Sequence, residues 1–299
     1  MQSSAGPVEL LDLPEPPPPG PGELLLSVRA AGIGRWDGLL HTGGWDVGLR
    51  PPAALGVEGA GVVMALGSGV TALAAGDLVL AHEAPLPGGS GFWAERVVVK
   101  AAHVARCPAA LDPVLAGGLP VAGLTARQAL DRLEVTAGTR LLITGASGPT
   151  GTIALQLAAH RGATVVVTAA ARHTSRLHQL GTEQVIDSHS PGWAERLGSG
   201  FDAALVAAGG TALVAMTAVR DGGRLCSITS DAPPSARGIN SSDLYVRPDG
   251  DQLYQLAADA ADGHFTFPAQ PVCLEDAPTM AQRVTAGQSG GIKYVVTPS

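Results

Sequence analysis

Between Arg140 and Ala158 the chain reads RLLITGASGPTGTIALQLA, an apolar run that breaks at a glycine-rich turn and resumes with apolar residues at helical spacing. The pattern predicts strand, tight turn and helix. Such a turn can do one kind of chemistry, the binding of a pyrophosphate. Gly148 lets backbone approach the phosphates with no Cβ in the way, Gly151 lets the helix pack closely on the strand, and the free N–H groups of the helix start carry partial positive charge. Ala146 stands where the usual glycine pattern begins, so Ala146, Ser147, Gly148, Pro149, Thr150 and Gly151 are the candidate cradle. A glycine-rich string alone is weak. The strand before it, the helix after it and a further strand at 163–168 supply the context that a dinucleotide-binding unit needs.

That further strand, VVVT, runs into Ala169-Ala170-Ala171-Arg172-His173-Thr174-Ser175-Arg176. In NAD-specific units an acid about 20 residues past the glycine turn accepts hydrogen bonds from the ribose hydroxyls, and its charge repels a 2′-phosphate. No acid occurs in this turn. Arg172 and Arg176 instead offer two guanidinium groups one helical turn apart, with His173 and Ser175 as further donors, and a guanidinium fork suits phosphate oxygens. The plainer alternative is two solvated arginines at a helix start, where the helix dipole disfavours cations. The expected cofactor is NADPH, with Ala170, Arg172, His173 and Arg176 at its adenosine end.

The elements that must position these residues follow from the rest of the chain. Its 299 residues suffice for two ordinary domains. Hydrophobic residues make up 45%, with no apolar run long enough to span a bilayer, so a membrane protein is disfavoured. A net charge of −7 argues against a nucleic-acid partner. No signal-peptide pattern opens the sequence, and Cys107, Cys226 and Cys273 fall in no metal or redox spacing, which together predict a cytoplasmic protein with reduced cysteines.

In chain order, a strand is expected over Val8–Leu11, a stiff polyproline connector at Pro16–Pro19, and a second strand over Glu23–Val28. Residues 31–99 stay β-rich, which suggests a small barrel. A helix pair is expected between Leu111 and Val135. Strands near 140–144, 163–168, 184–186, 203–207 and 223–228 then alternate with helices, the signature of a doubly wound parallel sheet. A last strand is expected at Asp243–Val246, a helix from Gln252, and a strand from Phe265 to Val272.

Several stretches together resemble the medium-chain dehydrogenase/reductase superfamily, most closely its zinc-free quinone oxidoreductase branch. They are Leu55–Gly61, Gly67–Val70, Ala75–Val79, Gly91–Glu95, Leu119-Pro120, Leu124–Ala126, Gly148–Gly151 with Gln156–Ala158, Gly181, Phe201-Asp202, Gly222–Arg224 and Gly290–Lys293. Their order and spacing carry the likeness over nearly the whole chain. The resemblance implies an α/β fold, a Rossmann doubly wound parallel sheet inserted in a GroES-like β-rich domain. The implied boundaries are 1–112 for the GroES-like part, 113–246 for the Rossmann domain and 247–299 for the return.

The departures from the family pattern are informative. Zinc members resemble one another at Gly-His-Glu, but here Val57 stands in the histidine's place, and no cysteine lies in Gly32–Asp37. Thiolate and imidazole are what a catalytic zinc needs, so no metal is expected. The quinone oxidoreductases commonly carry tyrosines in the segment that here runs from Gly32 to Trp45, and this chain has none there. By resemblance, Trp36, Asp37 and His41 become the catalytic candidates facing the substrate cleft, with Arg35 and Trp45 nearby. For Asp37 a turn-fixing role is equally open, and for His41 a surface role. Also by resemblance, Thr125, Ala207, Ala208, Thr229 and Tyr245 approach the nicotinamide.

The reaction that follows is hydride transfer to a quinone or an α,β-unsaturated carbonyl, a class that includes enoyl reduction on a polyketide-like substrate. With no metal to take the developing oxyanion, a hydrogen-bond donor or water must do so. A non-catalytic NADPH-binding sensor or structural protein is the alternative, raised by the missing tyrosines. A homodimer is expected through an uncovered sheet edge around Leu244-Tyr245-Val246.

Overall fold

The computed structural model describes residues 8–297. The first elements are β1 (Glu23–Gly32), α1 (Arg35–Thr42), β2 (Glu58–Leu66), β3 (Leu78–His82), β4 (Arg96–Lys100), β5 (Val104–Arg106) and α2 (Pro113–Arg132). There follow β6 (Arg140–Thr144), α3 (Pro149–His160), β7 (Thr164–Ala169), α4 (Thr174–Gln179), β8 (Gln184–Asp187), β9 (Phe201–Val206), α5 (Ala212–Ala218), β10 (Val219–Ser227) and β11 (Asn240–Asp243). The chain closes with α6 (Gly250–Ala261), β12 (Ala269–Cys273), α7 (Ala277–Thr285) and β13 (Lys293–Thr297). Two compact units result. One holds the residues up to Leu124 with Arg247–Gly263 and Pro268 onward; the other holds Thr125–Val246 with His264–Phe267.

In the first unit a seven-stranded sheet runs β12-β13-β1-β2-β3-β5, with β4 also paired to β1. All its pairings are antiparallel except β12 with β13. β1 alternates buried and half-buried residues until its end, where Ala30, Ala31 and Gly32 are all buried. There β13 pairs with Ala31 and Gly32, and α2 packs on Ala30, where a Cβ on Gly117 would stand 2.4 Å from the Ala30 Cβ. The expected strand at Val8–Leu11 is not formed: the segment has no regular structure and Leu10 is exposed. Its apolar residues pattern like a strand, but no partner strand pairs with them, and backbone pairing is what makes a strand.

The expected helix pair is one helix, α2, with Pro120 in its interior. Asp112 opens it by accepting from the N–H groups of Val114 and Leu115. A proline removes one ladder hydrogen bond and opens the helix beside it. Here the next N–H, that of Val121, donates to Glu58 Oε2 at 2.7 Å.

The second unit is a six-stranded parallel sheet in the order β11-β10-β9-β6-β7-β8. Its central strands are apolar throughout, Leu141, Leu142 and Ile143 on β6 and Val165, Val166 and Val167 on β7, all buried, as expected of parallel strands covered on both faces. The last strand lies three residues earlier than expected. β11 is Asn240–Asp243, polar residues paired with Arg224–Ser227, and Leu244 N–H still reaches Ser227 O. An edge strand held by backbone bonds needs no apolar side chains, so hydropathy misplaced it. The strand expected from Phe265 starts only at Ala269. Phe265 and Phe267 are buried side chains of irregular chain, and the Gln156 amide holds this segment through Thr266 O at 2.7 Å and Thr266 N at 3.1 Å.

Candidate functional site

A parallel sheet in this order reverses direction between β6 and β9, and ligands bind at such a switch point, outside the carboxyl ends of the strands. The register puts Thr144, Thr168, Val206 and Ser227 level with one another at those ends. Most of the sequence candidates follow directly on them. Ala146–Gly151 follow β6, Ala170–Arg176 follow β7, Ala207 and Ala208 follow β9, Thr229 follows β10, and Tyr245 lies two residues beyond β11. Parallel topology therefore gathers five loops at one end of the sheet. Thr125 sits apart on α2, buried among its neighbours.

The glycine turn after β6 has the local features expected of a pyrophosphate cradle. α3 begins at Gly148 with no side chain capping its free N–H groups, and Pro149 occupies its first position, where no N–H is needed. A Cβ on Gly151 would stand 2.7 Å from Ala146 Cα and from Gly145 O, so the helix can approach the turn this closely only with glycine there. On Gly148 the same atom would meet nothing nearer than Gly145 O at 3.6 Å, which leaves that side of the turn open. Thr152 Oγ1 donates to Ala146 O at 2.9 Å and fixes the turn from beneath.

The two arginines divide their roles. Arg176 turns inward and donates to Ser147 O at 3.1 Å and Thr152 Oγ1 at 3.4 Å, bracing the cradle. Arg172 is exposed. His173 lies between them, half-buried, its pKa lowered by partial burial and then by the two neighbouring guanidinium groups. The turn after β7 is thus a concentrated positive patch with no carboxylate of its own.

The first unit holds a second cluster, which sequence reading found only in part. Gly34 precedes α1, and Asp37 Oδ2 accepts from Gly34 N–H at 2.8 Å. Asp37 is 1% exposed, and this bond ties it to the turn that opens α1. Burial pushes its carboxyl up to about 7, against the pull of the Gly34 N–H and the Lys293 ammonium.

Beside it Lys293 Nζ donates to Glu58 Oε1 at 2.5 Å and to Ile33 O at 2.9 Å, and lies 4.6 Å from the centre of the Trp36 ring. A Cβ on Gly34 would stand 2.1 Å from that ring, so only glycine lets Trp36 lie where it does. Trp36 Nε1 and Asp37 Oδ1 are buried with no hydrogen-bond partner. His41 is half-buried in the last turn of α1, and Arg35 is exposed.

Sequence reading singled out Gly290–Lys293 only as part of a resemblance. The pairing of Glu58 with Lys293 joins residues 235 positions apart and has no local signal. These residues also do not suit a catalytic zinc. The cluster offers carboxylates already engaged by an ammonium, with no thiolate or imidazole among them.

With the geometry in place, comparison with known proteins locates the chain. Residues 20–109 match the alcohol dehydrogenase GroES-like domain family and residues 149–247 the zinc-binding dehydrogenase family. The fold superposes on a quinone oxidoreductase from Coxiella burnetii with a TM-score of 0.86 at 26% identity, covering 98% of this chain and 96% of that one. The chain is 39% identical over 199 residues to the pikromycin polyketide synthase component PikAII of Streptomyces venezuelae, covering 64% of this chain and 5% of that protein. It is also 35% identical over 184 residues to the synaptic vesicle membrane protein VAT-1 homolog of Rattus norvegicus, covering 61% of this chain and 44% of that one. The chain therefore spans less than half the length of these curated relatives. No helix among the described residues is long and apolar enough to cross a membrane. A GroES-like sheet, a parallel sheet of Rossmann order with its glycine cradle, and both family matches make the chain a member of the medium-chain dehydrogenase/reductase superfamily of oxidoreductases, of its quinone oxidoreductase-like branch.

Proposed function

We propose that the protein is an NADPH-dependent reductase that delivers a hydride to a quinone or an α,β-unsaturated carbonyl, enoyl intermediates of polyketide type included, without a metal. The observation that carries the cofactor choice is the acid-free turn after β7, where Arg172 is exposed and His173 and Arg176 adjoin it. The nicotinamide supplies the hydride when bound. The chain's own part is to hold the phosphates on Ala146–Gly151, to read the 2′-phosphate with Arg172, and to keep the cradle rigid through Arg176. The substrate class is supported by the names of two similar proteins, a quinone oxidoreductase and a polyketide synthase, and by a buried cluster that suits no zinc. Conjugated acceptors need no Lewis acid, because their anion is already delocalised.

Equilibrium titration with both cofactors tests the reading. Arg172→Ala is expected to weaken NADPH by about tenfold or more and leave NADH nearly unchanged, since a charge-assisted bond contributes roughly 1.5–3 kcal/mol. Arg176→Ala is expected to weaken both, because its bond to Ser147 O braces a part of the cradle common to the two. If neither variant narrows the NADPH preference, the arginines are not the phosphate site.

Turnover is the second arm. The buried position of Asp37 and the absence of tyrosine from residues 32–45 favour a second reading, a non-catalytic NADPH-binding sensor or structural protein. NADPH oxidation with some member of a quinone and enone panel is expected; tight NADPH binding with no turnover on any acceptor would select the sensor. The reading includes a homodimer formed through β11, the edge of the second unit's sheet. Light scattering is expected to give twice the chain mass at micromolar concentration, and a monomer mass would count against it.

A further inference from the structure

The loop after β10 carries a carboxylate that neither the sequence reading nor the nucleotide reading uses. Asp231 Oδ1 accepts from Ser227 Oγ at 2.6 Å and from Thr229 Oγ1 at 2.7 Å, and its Oδ2 accepts from Gly210 N–H at 2.7 Å. The first donor ends β10, the second belongs to Asp231's own loop, and the third to the loop after β9. Ser227 Oγ is also 3.0 Å from Thr229 Oγ1 and accepts from Thr229 N–H at 3.1 Å, so both hydroxyls are committed to this knot. Between Thr229 and Asp231 the backbone of Ser230 has φ 59, a left-handed conformation that a non-glycine residue keeps only when its surroundings impose it. Partial burial pushes the Asp231 carboxyl up, but the bonds from Ser227, Thr229 and Gly210 outweigh it and hold it below the usual range, so it is ionised at neutral pH.

The knot continues across the end of the sheet. Thr211 Oγ1 donates to Ala208 O at 2.7 Å and lies 2.8 Å from Thr144 Oγ1, a hydroxyl pair that ties the loop after β9 to the end of β6. A Cβ on Gly145 would stand 2.9 Å from Ala207 O, so the glycine turn lies directly against that loop. The loops after β6, β9 and β10 therefore form one braced rim, and Asp231 is its outermost anchor. A dinucleotide crosses such a switch point with its phosphates at the glycine turn. With the adenosine end taken by the turn after β7, the nicotinamide half falls to the loops after β9 and β10.

We propose that Asp231 is a positioning residue for the nicotinamide half of the cofactor, fixing the backbone of Gly209-Gly210 and Thr229 before the cofactor arrives. The proposal rests on the NADPH reading above. Rigid loops bind without a further ordering cost, so losing the anchor weakens only what those loops hold.

The test compares whole and half cofactors on the full chain by calorimetry, using NADPH and 2′,5′-ADP, which carries the adenosine end alone. In Asp231→Asn the amide nitrogen cannot accept from Gly210 N–H or from both hydroxyls, so one tether of the rim is lost. NADPH is expected to bind about tenfold more weakly, a loss of roughly 1.4 kcal/mol, while 2′,5′-ADP stays within about twofold of wild type. Ser227→Ala removes a buried donor that no cofactor can touch and should move NADPH the same way by less. Asp231→Glu, which keeps the charge, should recover part of the affinity. Equal weakening of both ligands, or no weakening of either in both variants, would overturn the role. If wild type binds neither ligand, the nucleotide reading itself fails, an outcome distinct from failure of the Asp231 role.

Discussion

Lys293→Met is expected to lower the unfolding free energy by about 3–5 kcal/mol, because it strips the counter-charge from a carboxylate that has no water to turn to. Glu58 and Lys293 are 0% and 2% exposed, and they meet at 2.5 Å. Burial pushes the Glu58 carboxyl up, and the Lys293 ammonium pulls against it. Methionine matches much of the lysine's volume but leaves Glu58 uncompensated, Ile33 O without its donor and the Trp36 ring without its cation. Glu58 in the variant then takes up a proton. With its folded value raised above the unfolded one, the variant must lose stability as pH rises past about 4.5. Adding Glu58→Gln should recover most of the loss, since the neutral amide still offers Val121 N–H an acceptor and needs no counter-charge. Urea unfolding of both singles and the double measures all of this. A single variant within about 1 kcal/mol of wild type would mean that the buried pair contributes little beyond packing.

Asp37→Asn is expected to stabilise the protein at pH 8 and to do so progressively less as pH falls. The native Asp37 carboxyl stands at about 7 against an ordinary 3.8, with Glu58 and Lys293 the charged groups facing it. Below about pH 4 the native and the unfolded chain both hold the proton, and the group contributes nothing. Between about 4 and 7 the unfolded chain releases the proton while the native chain keeps it, so stability falls as pH rises. Above 7 the cost is constant, roughly 4 kcal/mol at most. Asparagine offers Gly34 N–H the same oxygen acceptor and does not titrate. The difference in unfolding free energy between variant and wild type should therefore widen from pH 4 to pH 7 and then level off. A difference independent of pH across that range would show that Asp37 does not titrate within it.

What was legible in the sequence were the features with a local cause. The cradle at 145–151 declares itself because turn, strand and helix each have a residue pattern, and the parallel strands 140–144 and 164–169 because strands covered on both faces are apolar throughout. The single proline inside α2 was equally visible, but its consequence was not: whether Pro120 splits a helix or merely opens it depends on who takes the neighbouring N–H, and that is Glu58, on a strand 63 residues away. The strand at 240–243 escaped for the opposite reason, as its serines and acid are held by backbone bonds that leave no trace in hydropathy.

The same division runs through the candidate site. Sequence by itself predicted the glycine turn after β6 and the acid-free turn after β7, because each is built from consecutive residues. Only the tertiary structure decided the roles of charged side chains whose partners are distant. It turned Arg176 inward to Ser147 and left Arg172 exposed, gave Asp37 to the turn at Gly34, paired Glu58 with Lys293, and bound Asp231 to the loop after β9. A residue's type fixes which bonds it can make. Which ones it does make, and whether water competes for them, depends on burial and on partners that sequence proximity does not supply.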